Sequence, residues 1–261
     1  MTKKTDCFII DVHSHIGYSP DFHFPDVSLQ KMLGIMDELG IEKSISTHTA
    51  LLTNHFELGL KEARETFKKS NGRILSYLVF NPNYEDETVK MADSALKEET
   101  FVGIKIHPSF HKCYANDKRY EVIWKLALKK HIPIITHSWD VSETNPVQKF
   151  SFPALFENYI VKYENVKFIL AHAGGRYNGI LSASNLARRY KNVFLDISGD
   201  CFSFGLIEWL IGNAGADKIL YGSDMMWIDP RFQLGMVIGA KIPDSDKMKI
   251  LRFNANSCFQ W

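Results

Sequence analysis

The sequence lacks the features of a secreted or membrane protein. Its four cysteines, Cys7, Cys113, Cys201 and Cys258, are scattered and form no C-x-x-C pair, unlike the dense pattern of a small disulfide-bonded domain. The N-terminal stretch has no apolar segment long enough for a signal peptide, and no run of about 18 apolar residues could cross a membrane. We therefore expect a cytoplasmic protein with reduced thiols and no membrane association.

An excess of charge of one sign is also absent. The chain has 31 Lys and Arg residues against 30 Asp and Glu residues, a net charge of +1. A nucleic-acid-binding protein would carry a basic face, so this balance argues against a nucleic-acid partner. It leaves no long-range repulsion between copies, which is compatible with a homodimer. With 45% hydrophobic and 23% charged residues the composition is globular, and we expect a small-molecule substrate.

Eight short apolar runs rich in β-branched residues alternate with segments of helical periodicity. In these short runs both the odd and the even positions are apolar, which is typical of parallel strands that are covered on both faces. Eight such β-α units in about 250 residues predict a single (β/α)₈ TIM-type barrel over residues 1–261. An open doubly wound sheet would carry a glycine-rich phosphate loop after its first strand, which this chain does not. The predicted strands are 8–12, 44–47, 74–80, 102–106, 132–136, 166–171, 193–197 and 219–221.

Two histidines follow the first apolar run, in Asp11-Val12-His13-Ser14-His15. His13 and His15 are two residues apart, so on a strand their side chains point to the same face. In a barrel that face is the interior, and the C-terminal strand ends form the floor of the active site. Two neutral imidazoles side by side are costly to bury unless a divalent cation binds both. The alternative is a hydrogen-bonded pair in the core or in a loop.

Three further potential ligands stand where other apolar runs stop. His137 follows the fifth run, His172 the sixth and Asp224 the eighth. A single such histidine can be a hydrogen-bonded structural residue, but so many strand-end His and Asp residues together indicate a shared site. Three imidazoles and one carboxylate suit Zn²⁺, Mn²⁺ or Fe²⁺. The sequence therefore predicts a divalent-metal site at the C-terminal strand ends.

The fourth run adds a lysine to this set. In Gly103-Ile104-Lys105-Ile106-His107-Pro108, Lys105 and His107 share one face of the strand. If that face is the barrel interior, Lys105 is a buried cation beside the metal. It could bind a substrate carboxylate or, once carboxylated, bridge two ions. The structural alternative is an ion pair with a carboxylate such as Asp196, without a catalytic role.

In this order the motifs resemble those of the amidohydrolase superfamily, and within it the amidohydrolase-related branch, which includes decarboxylases and metal-dependent hydrolases. The resemblance covers almost the whole chain and implies the same barrel. The blocks that carry it are D-V-H-S-H at 11–15, G-I-K-I-H-P at 103–108, the P-x-x-x-H block ending at His137, H-A-G-G at 172–175, G-S-D at 222–224 and the closing Asn254-Ala255.

The resemblance implies that His13, His15, His137 and Asp224 bind one divalent metal ion. We expect this cofactor to be Zn²⁺, with Mn²⁺ or Fe²⁺ as alternatives. His172 would then orient the attacking water or stabilise the oxyanion. In members with two ions a carboxylated lysine bridges them, so Lys105 leaves open whether one or two ions bind.

The predicted activity is metal-dependent hydrolysis of an amide, ester or lactone-like bond. The ion would lower the pKa of bound water toward about 7, Asp224 would transfer the proton, and His172 or Lys105 would stabilise the oxyanion. The first alternative is non-oxidative decarboxylation of an aromatic or unsaturated carboxylic acid, with Arg176 or Arg231 as a carboxylate clamp. The second is an inactive barrel that serves as a binding module.

The substrate side of the pocket is assigned to four residues. Trp139 directly follows the fifth strand end as an apolar wall, and Trp227 belongs to a soft, aromatic segment after Asp224. The four are His107, Trp139, Arg176 and Trp227. Three other histidines, His23, His48 and His111, could face the pocket, but the favoured interpretation of each is a polar loop residue.

Overall fold

Eight short parallel strands form the centre of the molecule. The computed structural model describes residues 8–19, 21–22 and 25–260. The strands pair in sequence order, and every hydrogen-bonded neighbour is parallel, which confirms the predicted (β/α)₈ barrel. Their bounds are β1 Ile9–Ile16, β2 Ile41–His48, β3 Ile74–Phe80, β4 Phe101–Ile106, β5 Ile134–Thr136, β6 Phe168–Leu170, β7 Val193–Asp196 and β8 Ile219–Leu220.

Helices connect the strands. The first begins at Ser28, whose Oγ accepts a hydrogen bond from the Lys31 N–H, and ends at Gly40, whose φ of 75° suits glycine. The α-helices are α1 Leu29–Leu39, α2 Thr49–Leu52, α3 Phe56–Lys69, α4 Glu85–Ala95, α5 Pro108–His111, α6 Glu121–Lys130, α7 Glu157–Lys162, α8 Tyr177–Arg189, α9 Leu206–Ala214, α10 Arg231–Gly239, α11 Asp244–Met248 and α12 Asn254–Cys258. Short 3₁₀ helices span Pro82–Tyr84, Lys118–Tyr120, Pro146–Phe150, Pro153–Phe156, Ala171–Gly174 and Ala216–Lys218, and Lys249–Phe253 is π-helical.

Successive strand residues divide between two apolar clusters. Ile134 packs in the cluster that includes helix residues such as Trp124, whereas its neighbour Ile135 packs in a separate cluster with Ile169. This is the arrangement of a barrel, in which one set of side chains meets the helices and the other fills the interior. The interior cluster also contains Phe259, so the C-terminal segment packs against the barrel core. Because apolar side chains fill this interior cluster, the polar groups of the site lie at the C-terminal ends of the strands.

The segment after β8 closes the barrel against β1. Tyr221 O accepts a hydrogen bond from Val12 N, and both Ser223 N and Asp224 N donate to His13 O. Ser14 and Met225 then form an isolated parallel bridge. Because of this pairing, Asp224 lies directly beside the two histidines of β1.

β1 carries an irregularity that the sequence prediction missed. The first apolar run stopped at residue 12, but β1 continues to Ile16, so His13 and His15 lie within the strand, as their spacing predicted. Asp11 pairs with Ser44 and Ser14 with Ser46, so two β1 residues stand opposite one residue of β2. Such a bulge redirects side chains and is common beside active sites.

Two other expectations concern thiols and membranes. Cys113, Cys201 and Cys258 are free and buried, whereas Cys7 lies outside the described residues. Within the part of the chain that the structure describes, no helix is long and apolar enough to cross a membrane.

Candidate metal centre

His13 lies among the polar groups at the C-terminal strand ends. Its Nδ1–H donates to Asp196 Oδ2 over 3.1 Å. A neutral imidazole with its proton on Nδ1 has a lone pair on Nε2. That Nε2 lies 2.7 Å from Lys105 Nζ and 3.3 Å from Asp224 Oδ1. The ring is therefore held through Nδ1, and its lone pair faces the other groups of the site.

His15 and Asp224 complete a buried three-residue group with His13. His15 Nε2 lies 3.2 Å from Asp224 Oδ1, and the ligand atoms of all three residues lie within 4.8 Å of one another. Burial raises the pKa of Asp224, but His13, His172 and His15 outweigh it and hold the pKa below its usual value of 3.8. Asp224 has a φ of 57°, a left-handed conformation that non-glycine residues adopt at functional sites.

Lys105 is the buried cation of the site. Lys105 is only 1% exposed, and its Nζ donates a hydrogen bond to His13 Nε2. Burial lowers the pKa of Lys105 to about 8, although Asp224 and Asp196 oppose that shift. Among the described residues no carboxylate oxygen lies within 4.0 Å of Lys105 Nζ, the distance expected for an ion pair. The alternative of an ion pair with Asp196 is therefore not seen.

His137 and His172 form a pair beside the three-residue group. His137 Nδ1 lies 3.1 Å from His172 Nε2, and His137 Nε2 lies 2.9 Å from Gln148 Oε1. His172 Nδ1 lies 3.5 Å from Asp224 Oδ2. Burial lowers the pKa of both rings, so they are neutral at pH 7. Because both nitrogens of His137 have partners, its role as a metal ligand would require one hydrogen bond to be exchanged, and that role stays a prediction.

Asp196 and Ser198 join the two sets of histidines. Ser198 Oγ donates to Asp196 Oδ1 and lies 2.8 Å and 2.9 Å from the Nδ1 atoms of His13 and His172. Asp196 Oδ1 also accepts the backbone N–H of His172 over 3.1 Å. His13, His172 and Asp196 could form a second ligand group, but Ser198 already links them by hydrogen bonds. Sequence reasoning assigned neither residue to the site, although Asp196 ends β7 and its strand-end position could have revealed it.

Planar side chains line one side of the site. His107 stacks on His137 with ring centres 4.1 Å apart, and Trp139 lies parallel to His137 at 5.9 Å. The Arg176 guanidinium lies 4.9 Å from the centre of the Trp139 ring and donates to Asp200 Oδ2 over 2.9 Å. Of the residues assigned to the substrate, His107 and Trp139 therefore pack against His137, and Arg176 packs against Trp139. Their contact with a substrate stays a prediction.

The remaining sequence assignments fall at different places. Trp227 stacks on the His15 ring with centres 3.6 Å apart. Arg231 is exposed and pairs with Asp229, its near neighbour in the chain. His48, at the end of β2, and His111, at the end of α5, are both buried, so their interpretation as ordinary polar loop residues was wrong. His23 lies outside the described residues.

The three-residue group fits a divalent metal ion. Oxygen and nitrogen ligands of a tetrahedral zinc ion lie roughly 3.3 Å from one another. Asp224 Oδ1 is 3.2 Å from His15 Nε2 and 3.3 Å from His13 Nε2. The second nitrogen of His13 is held by a carboxylate, as is usual for metal-binding histidines. Three protein ligands also leave a coordination position open, which is the pattern of catalytic sites.

Comparisons with known proteins agree with this geometry. A family model described as amidohydrolase matches residues 10–260. The structure of 2,6-dihydroxybenzoate decarboxylase from Rhizobium is similar with a TM-score of 0.76 and 17% identity, over 96% of this chain and 98% of that chain. A 5-carboxyvanillate decarboxylase from Novosphingobium aromaticivorans, complexed with manganese, is similar with a TM-score of 0.73 and 14% identity, over 96% of this chain and 95% of that chain. An uncharacterised TIM-barrel protein from Bordetella bronchiseptica is similar with a TM-score of 0.78 and 15% identity, over 96% of this chain and 97% of that chain. A comparison with curated proteins finds no match.

The barrel and its histidine–aspartate group define a metal-dependent enzyme of the amidohydrolase type. Because the family match extends over nearly the whole chain, the chain belongs to the amidohydrolase superfamily, as its motifs indicated. The structural neighbours support the fold, and one of them holds manganese. Zinc as the resident ion stays a prediction.

Proposed function

We propose that the protein catalyses the non-oxidative decarboxylation of an aromatic carboxylic acid. This was the alternative to hydrolysis in the sequence analysis. The names of two structural neighbours, both aromatic acid decarboxylases, support it. A feature of this chain supports it independently.

That feature is the charge on Lys105. Its ammonium is buried, and in the described part of the chain no carboxylate pairs with it. Asp224 and Asp196 stabilise this cation only from beyond ion-pair distance, and a substrate carboxylate could pair with it directly. A neutral ester or amide could not. The site therefore favours an anionic substrate.

The planar groups suit the rest of such a substrate. His107, His137 and Trp139 present parallel rings beside the cation. An aromatic ring could stack against an outer face of this group, and each stacked pair contributes about 0.5–1.5 kcal/mol beyond the area it buries. Arg176, above Trp139, could meet a second polar group of the substrate.

The reaction needs one proton. The bond between the ring carbon and the carboxylate breaks, its electron pair stays on the ring carbon, and a proton forms the new C–H bond as CO₂ leaves. Burial keeps His137 and His172 neutral at pH 7, whereas Lys105, with a pKa of about 8, retains its proton. We assign Lys105 as the proton donor, adjacent to the carboxylate that it binds.

His13, His15 and Asp224 would hold the divalent ion, which supplies Lewis-acid stabilisation of the substrate's oxygen atoms. Asp196 and Ser198 keep the His13 proton on Nδ1, so its Nε2 could serve as a ligand in exchange for the hydrogen bond that it accepts from Lys105.

The test uses a panel of hydroxybenzoates with protein loaded with Mn²⁺ or Zn²⁺. We expect CO₂ release, and in D₂O one deuterium at the carbon that lost the carboxylate. Lys105→Arg keeps the charge but cannot release a proton, so it should bind a carboxylate inhibitor and lose turnover. Lys105→Met should lose both. Wild-type turnover in Lys105→Met would exclude Lys105 as the donor.

Hydrolysis is the second candidate, and the contact between His172 and Asp224 favours it. Their 3.5 Å separation would let the pair move a proton from water to a leaving group. Turnover of p-nitrophenyl esters or lactones, without CO₂ release from the benzoates, would support hydrolysis. Metal binding with no turnover of either panel would support the inactive binding module.

A further inference from the structure

The indole of Trp227 lies flat against the imidazole of His15. Their ring centres are 3.6 Å apart and their planes differ by 8°. The indole N–H donates to Gly17 O over 3.1 Å, which ties Trp227 to the end of β1. Phe22 lies nearly parallel to Trp227, with ring centres 6.0 Å apart. The indole is therefore fixed by contacts of its own and presents a rigid face to His15.

His15 lacks the hydrogen bond that usually orients a metal-binding histidine. Such a ring normally donates its second N–H to a carboxylate, carbonyl or water, as His13 does to Asp196. His15 Nδ1 is buried, and among the described residues it has no hydrogen-bond partner. Nothing on that edge of the ring fixes its rotation. Apart from the contact of Nε2 with Asp224, the stacked indole is the aromatic contact that lies nearest to the ring and can hold its plane.

The backbone brings the indole to this place. His15 N donates to Met225 O over 2.5 Å, and Met226 N donates to His15 O over 3.4 Å. Trp227 N then donates to Asp224 O over 2.9 Å, which turns the chain back over β1. The same short segment thus supplies both the carboxylate that faces His15 Nε2 and the ring that covers its face.

We infer that Trp227 is a positioning residue for His15. Stacking restricts rotation of the imidazole, so that Nε2 stays directed at Asp224 and the metal position. The inference rests on the proposed metal-dependent function. It also differs from the sequence interpretation, in which Trp227 contacts the substrate. Its consequence is that loss of the indole should weaken metal binding before any substrate is present.

The experiment measures metal affinity in two variants and a control. Metal-free protein is titrated calorimetrically with Mn²⁺ and Zn²⁺. Loss of a group that orients a ligand typically weakens metal binding by roughly 10–100-fold, and we expect a loss near the lower end for Trp227→Leu. Trp227→Phe keeps a flat aromatic face, so its affinity should stay within a few-fold of wild type. Trp209→Leu, on α9, should bind as wild type does.

A spectrum separates positioning from general destabilisation. With Co²⁺ in place of the native ion, Trp227→Leu should change the visible absorption bands, and Trp227→Phe should restore them. Wild-type affinity and spectrum in Trp227→Leu would overturn the inference and leave the proposed function intact. A Phe variant as weak as the Leu variant would overturn stacking as the cause. If the wild-type protein binds no divalent ion, the proposed function fails and the inference fails with it.

Discussion

Gly199 is a position at which one added methyl group should disturb the site directly. It has a φ of +86°, and a Cβ placed there would lie 2.7 Å from His172 Nδ1 and 3.4 Å from Trp139 Cζ3. Alanine therefore meets both an unfavourable backbone conformation and a side chain of the site. We predict that Gly199→Ala destabilises the protein and displaces His172.

The size of the effect follows from two contributions. A residue other than glycine in the left-handed region costs about 1–2 kcal/mol. Displacing His172 breaks its 2.9 Å contact with Ser198 Oγ, and a hydrogen bond contributes about 0.5–1.5 kcal/mol. Together the free energy of unfolding should fall by about 2–3 kcal/mol. In a chain of this size that lowers the melting temperature by several degrees.

Gly205→Ala is the matched control. Gly205 also has a positive φ, +71°, but a Cβ there would have no atom within 4 Å. This variant should show the backbone cost alone, about 1–2 kcal/mol in denaturant unfolding, and retain wild-type turnover. Gly199→Ala should lose more stability and most of its turnover. Equal stability losses with full activity in both variants would refute the contact with His172.

Three further predictions follow from other residues. Asp196→Asn removes the carboxylate that holds His13, so divalent-metal affinity measured by calorimetry should fall roughly 10–100-fold; unchanged affinity would contradict that support. Burial lowers the pKa of His111 from 6.5 to about 4, so the unfolded chain takes up a proton first and the free energy of unfolding should fall as pH drops from 6.5 toward 4. His111→Gln should reduce that slope in urea titrations, to which His137 and His172 also contribute, and an unchanged slope would exclude His111 as a source. Arg176→Gln should raise KM for an anionic substrate several-fold with little change in kcat; a loss in kcat alone would argue against a binding role.

Much of the site was visible in the sequence because strand ends are local features. His137, His172 and Asp224 each follow an apolar run, and parallel strands of a barrel end at one face. The order of the motifs along the chain also indicated the amidohydrolase superfamily. Neither source required knowledge of how loops pack.

The errors arise where tertiary contacts override local pattern. The first apolar run ends at Val12, yet β1 continues to Ile16, because the inner face of a barrel strand is polar where it forms a site. His48 and His111 were taken as polar loop residues, yet the fold buries both. A histidine's burial depends on which elements pack over it, and the sequence around it does not encode that.

Two of the residues that were missed lie outside the strands. Gln148 lies in the 3₁₀ helix Pro146–Phe150 and reaches His137 only because that loop folds back over the fifth strand. Ser198 lies beyond β7 and has no periodic signal. Ser198 contacts His13, 185 positions away, and Gln148 reaches His137 across an irregular loop, so only the folded chain reveals these contacts.

The closure of the barrel by the segment after β8 has a consequence for the order of events in folding. His15 and Asp224 are 209 positions apart, and their contact forms when the last strand meets the first. During synthesis the aspartate emerges long after the histidines, so an ion cannot be held by all three residues until the barrel is nearly complete. Binding then stabilises the closed form over every open one, in proportion to the logarithm of free ion over its dissociation constant. The metal would therefore bind after the barrel has closed and would stabilise the contact between its first and last strands.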